Sequence, residues 1–332
     1  MRTLWLALTL GGCAWADLPT GPDGAEGDSP LRNASPGASS DRSAPVALPA
    51  SMTRVRVGLT PFLREDVLLA TYEPLRAWLE AAWGVPVTLR VAPSYDTLGA
   101  WLRSGEVDVG QFSPYAWVRT GATAAGLVPV VSTVTEGGDT GAGYIVVRDD
   151  SAITRLDQLR GRRLACVDPG SASGYLMPLA LLRARGLDPE RDLAARDALG
   201  NHESVLLAVL DGRYDAGAVY QGALDALTRS RGIPPYRFRI VGKTGRMPHD
   251  LLAVRADAAT GFADSLRTHL LGLNVLTVEG RRVLDPASVH GFAPVQDSSY
   301  DGIREAARLL GIATPAAAGE ALRRGDAPPS AP

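Results

Sequence analysis

The feature that most constrains this chain is a helix–glycine–strand unit that occurs twice. "SYDTLGAWLRSGEVDVGQF" (94–112) and "NHESVLLAVLDGRYDAGAV" (201–219) each begin with a capping residue, run through apolar residues at helical spacing, stop at a glycine and enter a strand. Tyr95 precedes Gly105 by the same interval as His202 precedes Gly212, and Asp108 and Gly110 align with Asp215 and Gly217. Chance recurrence is one explanation, since Gly and Asp are common turn residues. The matched positions of Tyr95 and His202, each just after a cap, favour the other: two similar lobes, one in each half of the chain.

Around these units strands and helices alternate. "RVRVGL" (54–59), "VPVTLRVA" (85–92) and "VDVGQF" (107–112) read as strands, and "YEPLRAWLEAAWG" (72–84) as a helix ending at Gly84. Such alternation predicts an α/β fold with largely parallel sheets. The 332 residues, 45% hydrophobic, suffice for two domains of ordinary size. A net charge of −2 provides no general basic surface, so neither nucleic acid nor anionic lipid is an expected partner, and any bound anion must be held locally.

The N-terminus has the layout of an export signal over residues 1–16: Arg2, an apolar run from Leu4 to Leu10, then small residues. "LGGC" (10–13) fits a lipobox with Cys13 as the lipidated residue, and "AWA" (14–16) fits ordinary signal-peptidase cleavage; the Pro-, Gly- and Ser-rich residues 17–52 that follow suit a disordered tether and favour lipidation. A monomer held to the membrane only by its lipid is expected. Cys166, inside the apolar "LACV", is expected to be a buried core residue, and with Cys13 lipidated no internal disulfide forms. The histidines at 202, 249, 269 and 290 are scattered, so no metal site and no cofactor is expected.

In "LACVDPGSASGYLMPLALL" (164–182), Ser171, Ala172, Ser173 and Gly174 stand where a strand hands over to a helix. Small residues let backbone approach a ligand, and the first turn of a helix leaves N–H groups unpaired, so the segment suits an anion; taken alone, it suits a plain helix cap equally well. Pro178 should kink or shorten the first turns. The letters place Ala172 where a nucleophile elbow needs its serine. Similar helix starts occur at Ser94-Tyr95, Ser113-Pro114 and Asn201-His202, and helix N-termini from two lobes would converge on a cleft.

With these residues in view, the chain resembles the phosphonate, phosphite and phosphate binding proteins of bacterial ABC importers. "DPGSASGYLMP" is similar to that family's D-P-x-S-T-S-G-[FY]-L-x-P, and "GNHESVLLAVLDGRYDAG" to its G-x-H-x-x-x-L-x-A-V-x-x-G-x-x-D; "APSYDTLGAWLRSGEVDVGQFSPYAWV" also matches. The resemblance runs from about Val55 to Leu310. It implies the two-lobed (type II) periplasmic binding fold, each lobe a mixed, mainly parallel sheet flanked by helices. Lobe 1 would take 53–145 and 248–323 and lobe 2 146–247, with crossings in "GYIVVRDDS" (143–151) and "KTGRMPHDLLAV" (243–254) and a disordered tail over 324–332.

The resemblance further implies that Ser171, Ala172, Ser173 and His202 bind the ligand's phosphorus-bound oxygens with Tyr95, Phe112 and, from the return crossing, Asp250; Ser113 and Gly174 belong to the same set of helix starts, and Tyr115 and Tyr220 are candidate wall residues. Without it, Tyr95 and Phe112 read equally well as core aromatics. Ala172 departs from the family's Thr, and Gly222 stands where members that bind aminoalkyl phosphonates carry a second acid. The expected function is capture of a small phosphorus oxyanion for an inner-membrane permease, with ligand sensing for a membrane kinase as the alternative; no nucleophile–base pair supports an enzyme.

Overall fold

The computed structural model describes residues 46–121 and 126–314; the export signal, Cys13 and the residues beyond 314 lie outside them. The strands are β1 (Val55–Leu59), β2 (Val87–Val91), β3 (Val109–Phe112), β4 (Leu127–Val134), β5 (Thr140–Gly141), β6 (Gly143–Arg148), β7 (Arg163–Cys166), β8 (Ala195–Ala198), β9 (Ala216–Tyr220), β10 (Phe238–Lys243), β11 (Met247–Pro248), β12 (Leu251–Arg255) and β13 (Gly291–Pro294). The helices are α1 (Glu65–Trp83), α2 (Tyr95–Ser104), α3 (Pro114–Thr120), α4 (Met177–Ala184), α5 (His202–Leu210), α6 (Ala223–Arg231), α7 (Phe262–Gly272), α8 (Val278–Leu284) and α9 (Asp301–Leu309).

Two sheets carry the fold: six strands in the order β13-β4-β12-β3-β1-β2, and five in the order β10-β6-β9-β7-β8. Both are mixed, with a smaller parallel share than the sequence suggests. Parallel pairing covers β2-β1-β3 in one and β8-β7-β9 in the other, while the strands next to the crossings, β4, β12, β6 and β10, pair antiparallel. A strand entering from the other lobe arrives at the opposite end of the sheet and has to run against its neighbours.

The repeated unit occupies the same place in each sheet. Asp108 Oδ2 accepts the Arg56 N–H at the start of β1 (2.8 Å), and Asp215 Oδ2 accepts the Arg163 N–H at the start of β7 (2.8 Å). Both aspartates therefore tie one parallel strand to the next, the packing role their turn positions suggest. Gly110 and Gly217 leave room for the helix above: a Cβ on Gly110 would lie 3.3 Å from Leu102, and one on Gly217 would lie 2.7 Å from Val205.

Three boundaries differ from expectation. Helix α1 begins at Glu65, upstream of residue 72, and carries Pro74 inside it; Glu65 and Asp66 in its first turn suit the positive end of the helix dipole. The first crossing precedes "GYIVV", which is instead the interior strand β6 between β10 and β9; the chain crosses through "EGGDTGA" (136–142), where β5 pairs with β11 of the return crossing. Residues 46–52, assigned to the tether, pack on lobe 1: Ser265 Oγ donates to Val46 O (2.7 Å), and Leu48 and Met52 lie against the cluster of Leu79, Trp83 and Phe262. Helix α9 touches α3 and also α4, so the chain's last described helix contacts elements of both lobes.

Candidate ligand-binding cleft

On the lobe-2 side, the small-residue segment forms an unusual turn. Ala172–Leu176 adopt a π-helical turn ahead of α4, with the Leu176 N–H donating to Ser171 O (3.0 Å). Pro178, in the first turn of α4, has no N–H to give the Gly174 carbonyl, which instead accepts the Val167 N–H from the end of β7 (3.0 Å). Ser171 Oγ caps the turn by accepting the Gly174 N–H (3.0 Å), so the cap reading of "SAS" holds, and the same hydroxyl lies within hydrogen-bonding reach of the Tyr95 phenol. The N–H groups of Ala172 and Ser173 stand ahead of the first turn's bonds, as at any helix start. Gly174 admits no side chain: a Cβ would fall 2.4 Å from Val167 and 3.1 Å from the His202 ring.

His202 is the first residue of α5, after the Asn201 cap, whose side chain accepts the Ser204 N–H (2.8 Å). The ring is 3% exposed, and burial pushes its pKa down to about 3, so it is neutral. Its Nδ1 accepts the Tyr220 N–H (3.2 Å), which makes Nε2 the N–H donor. Tyr220 packs edge-on against the His202 ring at 4.8 Å and against Phe62 of lobe 1 at 6.5 Å. A side chain at Gly222 would start 2.9 Å from the Tyr220 ring, so the absence of an acid there agrees with the packing.

From lobe 1, Tyr95 stands at the first position of α2, the place that matches His202, and its phenol is buried with its pKa raised by burial and then by the charge of Asp250. Asp250 lies at the end of the return crossing. Gln111 Nε2 donates to Asp250 Oδ2, and the amide is oriented by Thr60, whose N–H donates to Gln111 Oε1 (3.2 Å). Burial raises the Asp250 carboxyl to about 7 against the smaller, opposing effect of the Gln111 bond. The phenols of Tyr72, Tyr95, Tyr220 and Tyr300 all lie within reach of its charge.

The remaining sequence candidates are placed differently. The Phe112 ring turns back over Gly110 and packs on Trp117 at 5.8 Å, within the core; the room above Gly110 draws it there. Ser113 spends its hydroxyl twice, accepting the Ala116 N–H (3.3 Å) and donating to the Gly170 carbonyl of lobe 2 (3.1 Å), so it ties the lobes together. Tyr115 is buried with its hydroxyl unpartnered among the described residues, 5.7 Å beneath the Arg119 guanidinium. Gln111, Thr60 and Phe62 also take part, and no sequence motif marks them. A glutamine inside the otherwise apolar strand β3 is the one signal for the first.

Cys166 is buried, with its thiol pushed up to about 12 by burial, and is inert. An apolar cavity of about 20 Å³ behind Gln111, lined by Leu79, Leu252, Leu266 and Phe292, belongs to the lobe-1 core. Among the described residues no helix is long and apolar enough to cross a membrane, and no three His, Cys, Asp or Glu side chains gather as metal ligands.

Helix starts from two lobes thus face one another around hydroxyl and imidazole donors, and comparison with known proteins carries the reading further. The sequence profile of the periplasmic substrate-binding proteins of phosphonate ABC transporters matches residues 57–300. The chain belongs to that family. Membership makes it a substrate-binding component of an importer rather than an enzyme, and favours transport over sensing. The phosphate-import protein PhnD of Mycolicibacterium smegmatis is 29% identical over 276 residues, covering 77% of this chain and 86% of that protein. Two crystal structures share the fold, each covering 78% of this chain. A binding protein of an ABC phosphonate transporter from Pseudomonas aeruginosa has a TM-score of 0.71 at 20% identity over 86% of its length. PhnD1 of Prochlorococcus marinus, in complex with methylphosphonate, has 0.70 at 19% identity over 98% of its length. The two-lobed periplasmic binding fold is therefore that of this family.

Proposed function

We propose that this protein captures a small phosphorus oxyanion (phosphite, phosphate or an alkyl phosphonate) between the π turn at Ser171–Gly174 and the start of α5, for delivery to its permease. The observation that carries this is the fixed tautomer of His202: with Nδ1 committed to the Tyr220 N–H, its Nε2–H is a neutral donor on a ring that lies against Gly174 of the turn. A set of donors without a cation offsets the desolvation of an oxyanion by hydrogen bonds alone. Tyr95 closes the site from lobe 1.

Asp250 is the acid on the lobe-1 side. A carboxylate facing an oxyanion repels it unless a proton lies between them. A carboxyl raised to about 7 accepts that proton readily, so the bound pair carries one shared proton, from the ligand or from Asp250. With Gly222 offering no second acid, 2-aminoethylphosphonate finds no counter-ion for its amine. A thermal-shift panel of phosphite, phosphate, methylphosphonate, 2-aminoethylphosphonate and sulfate, run on either side of the ligand's second ionisation, tests the assignment. The three small phosphorus species should stabilise most, and more at the lower pH. Tightest binding of the aminoethyl compound, or affinity rising with pH, overturns the role of Asp250, and silence across the panel overturns the ligand class.

The reading extends to a monomer anchored through Cys13, supported by "LGGC" and the polar stretch after it. Cys13→Ser should release the exported protein from the membrane fraction; a mature N-terminus at Asp17 without lipid overturns the anchor.

A further inference from the structure

Behind the proposed ligand donor His202, the loop Thr60–Arg64 of lobe 1 sits on the first turn of α5. Phe62 O accepts the His202 N–H (3.2 Å), and Thr60 is held at the other end by Gln111, its Oγ1 donating to Gln111 O (2.6 Å). Next to His202, Glu203 is only 4% exposed and is shared by guanidinium groups from both lobes: Arg231 of α6 at 2.6 Å and Arg64 at 3.8 Å. A groove of about 500 Å³ lined by Arg64, Asp66, Glu203, Ser230, Arg231 and Pro286 runs along this rim. Farther along, Arg229 of α6 donates to Ser288 Oγ of lobe 1 (3.1 Å), and Ser288 is the one described non-glycine residue with positive φ (53°).

We infer that Arg64 and Glu203 form an interlobe ionic latch that biases the cleft toward closure and helps it accept an anion. Two features set its strength. Arg64 has a partner in its own lobe, Asp66, which its Nε reaches at 3.1 Å, and Glu203 keeps Arg231 in its own lobe. Opening the cleft therefore leaves no charge unpaired, so the latch adds a modest bias and releases easily. Arg64 also offsets the negative charge of Glu203, which stands one residue from the donor His202. Removing Arg64 thus weakens anion capture without removing any group that touches the ligand. Glu203 and Arg64 are positioning residues in this scheme, and only its second half rests on the ligand-binding reading of the cleft.

The test begins without ligand. Donor and acceptor dyes on the two lobes of the full chain report the closed fraction by single-molecule energy transfer, at about 20 mM and about 500 mM NaCl. Arg64→Ala should lower the ratio of closed to open molecules by about twofold to fivefold at low salt and abolish its salt dependence. Asp66→Asn, which removes the competing partner, should raise that ratio. With methylphosphonate or phosphate, Arg64→Ala should speed dissociation by a similar factor and leave association nearly unchanged, and Arg64→Lys should recover part of the loss. Unchanged closed fractions in both variants at both salts overturn the latch. Normal salt-dependent closure with no binding of either anion would leave the latch standing and reject the ligand assignment instead.

Discussion

The two copies of the helix–strand unit were built alike and put to different uses. In α2–β3 and α5–β9 the cap, the aspartate bond to the neighbouring strand and the small glycine beneath the helix coincide. At the first helical position, however, lobe 1 places Tyr95, whose buried phenol stays protonated, and lobe 2 places His202, whose free nitrogen donates. Lobe 2 adds the π turn and its hydroxyls, while lobe 1 adds Asp250 held by Gln111. The scaffold is symmetric where it supports strands and asymmetric at the helix starts; on the ligand-binding reading proposed above, one lobe would supply donors and the other a proton-sharing acid.

The largest expected effect tests the donor lobe. His202→Asn removes the Nε2–H but can keep an acceptor for the Tyr220 N–H, and ligand affinity measured by calorimetry should fall by about 1–3 kcal/mol. His202→Ala leaves that N–H unpaired in a buried place and should lower the thermal midpoint of the ligand-free protein as well. Wild-type affinity in the Asn variant would remove His202 from the site and end the division of labour.

Next in size is the proton. Wild-type affinity should fall by up to about tenfold per pH unit above the pH at which the shared proton is lost, and Asp250→Asn should flatten that slope. The ligand-free protein gives an independent check. A carboxyl whose native pKa is raised from 3.8 to about 7 favours the native state below its unfolded pKa and loses that advantage as pH rises through about 7. His202, lowered from 6.5 to about 3, has the opposite sign: its contribution is present above 6.5 and is lost as pH falls toward 3. Chemical denaturation across pH should therefore show Asp250→Asn gaining stability on wild type between about pH 4 and pH 7 and holding the gain above that. A constant difference between the two would deny Asp250 its raised pKa.

A smaller effect sharpens the symmetric part. Asp108 also binds the Arg56 guanidinium through both oxygens (3.0 and 2.8 Å), whereas Asp215 lies 3.8 Å from Arg162 with its side chain 34% exposed. Asp108→Ala should destabilise the protein by about 1–3 kcal/mol and Asp215→Ala by less, in urea unfolding. Equal losses would mean that the strand N–H bond carries the whole effect. Smallest is Ser173→Ala, about 0.5–1.5 kcal/mol in ligand affinity with no change in the ligand-free midpoint, because Ser173 is not the residue that caps the turn.

Much of this was legible in the sequence because it depends on local chemistry. Caps at Ser94, Ser113 and Asn201, the glycine stop at Gly84 and the duplicated unit follow from which side chains can satisfy a helix end or adopt a left-handed turn, and those preferences act over a few residues. The disturbance at Pro178 was equally local, although its form, a π turn whose freed carbonyl binds Val167, needed the strand to be in place. What the sequence could not determine was pairing at a distance. Whether "GYIVV" crosses between lobes or forms an interior strand of a sheet is decided by β9 and β10 on its two sides. The tautomer of His202 is set by a backbone N–H eighteen positions away, at Tyr220. The raised pKa of Asp250 comes from its burial, against the opposing bond from Gln111, and the ring of Phe112 follows the empty space above Gly110. The sequence determined which elements form and which residue types gather at their ends; only the tertiary structure decided which partner each polar group meets, because burial and hydrogen bonding are properties of neighbours that the chain brings from afar.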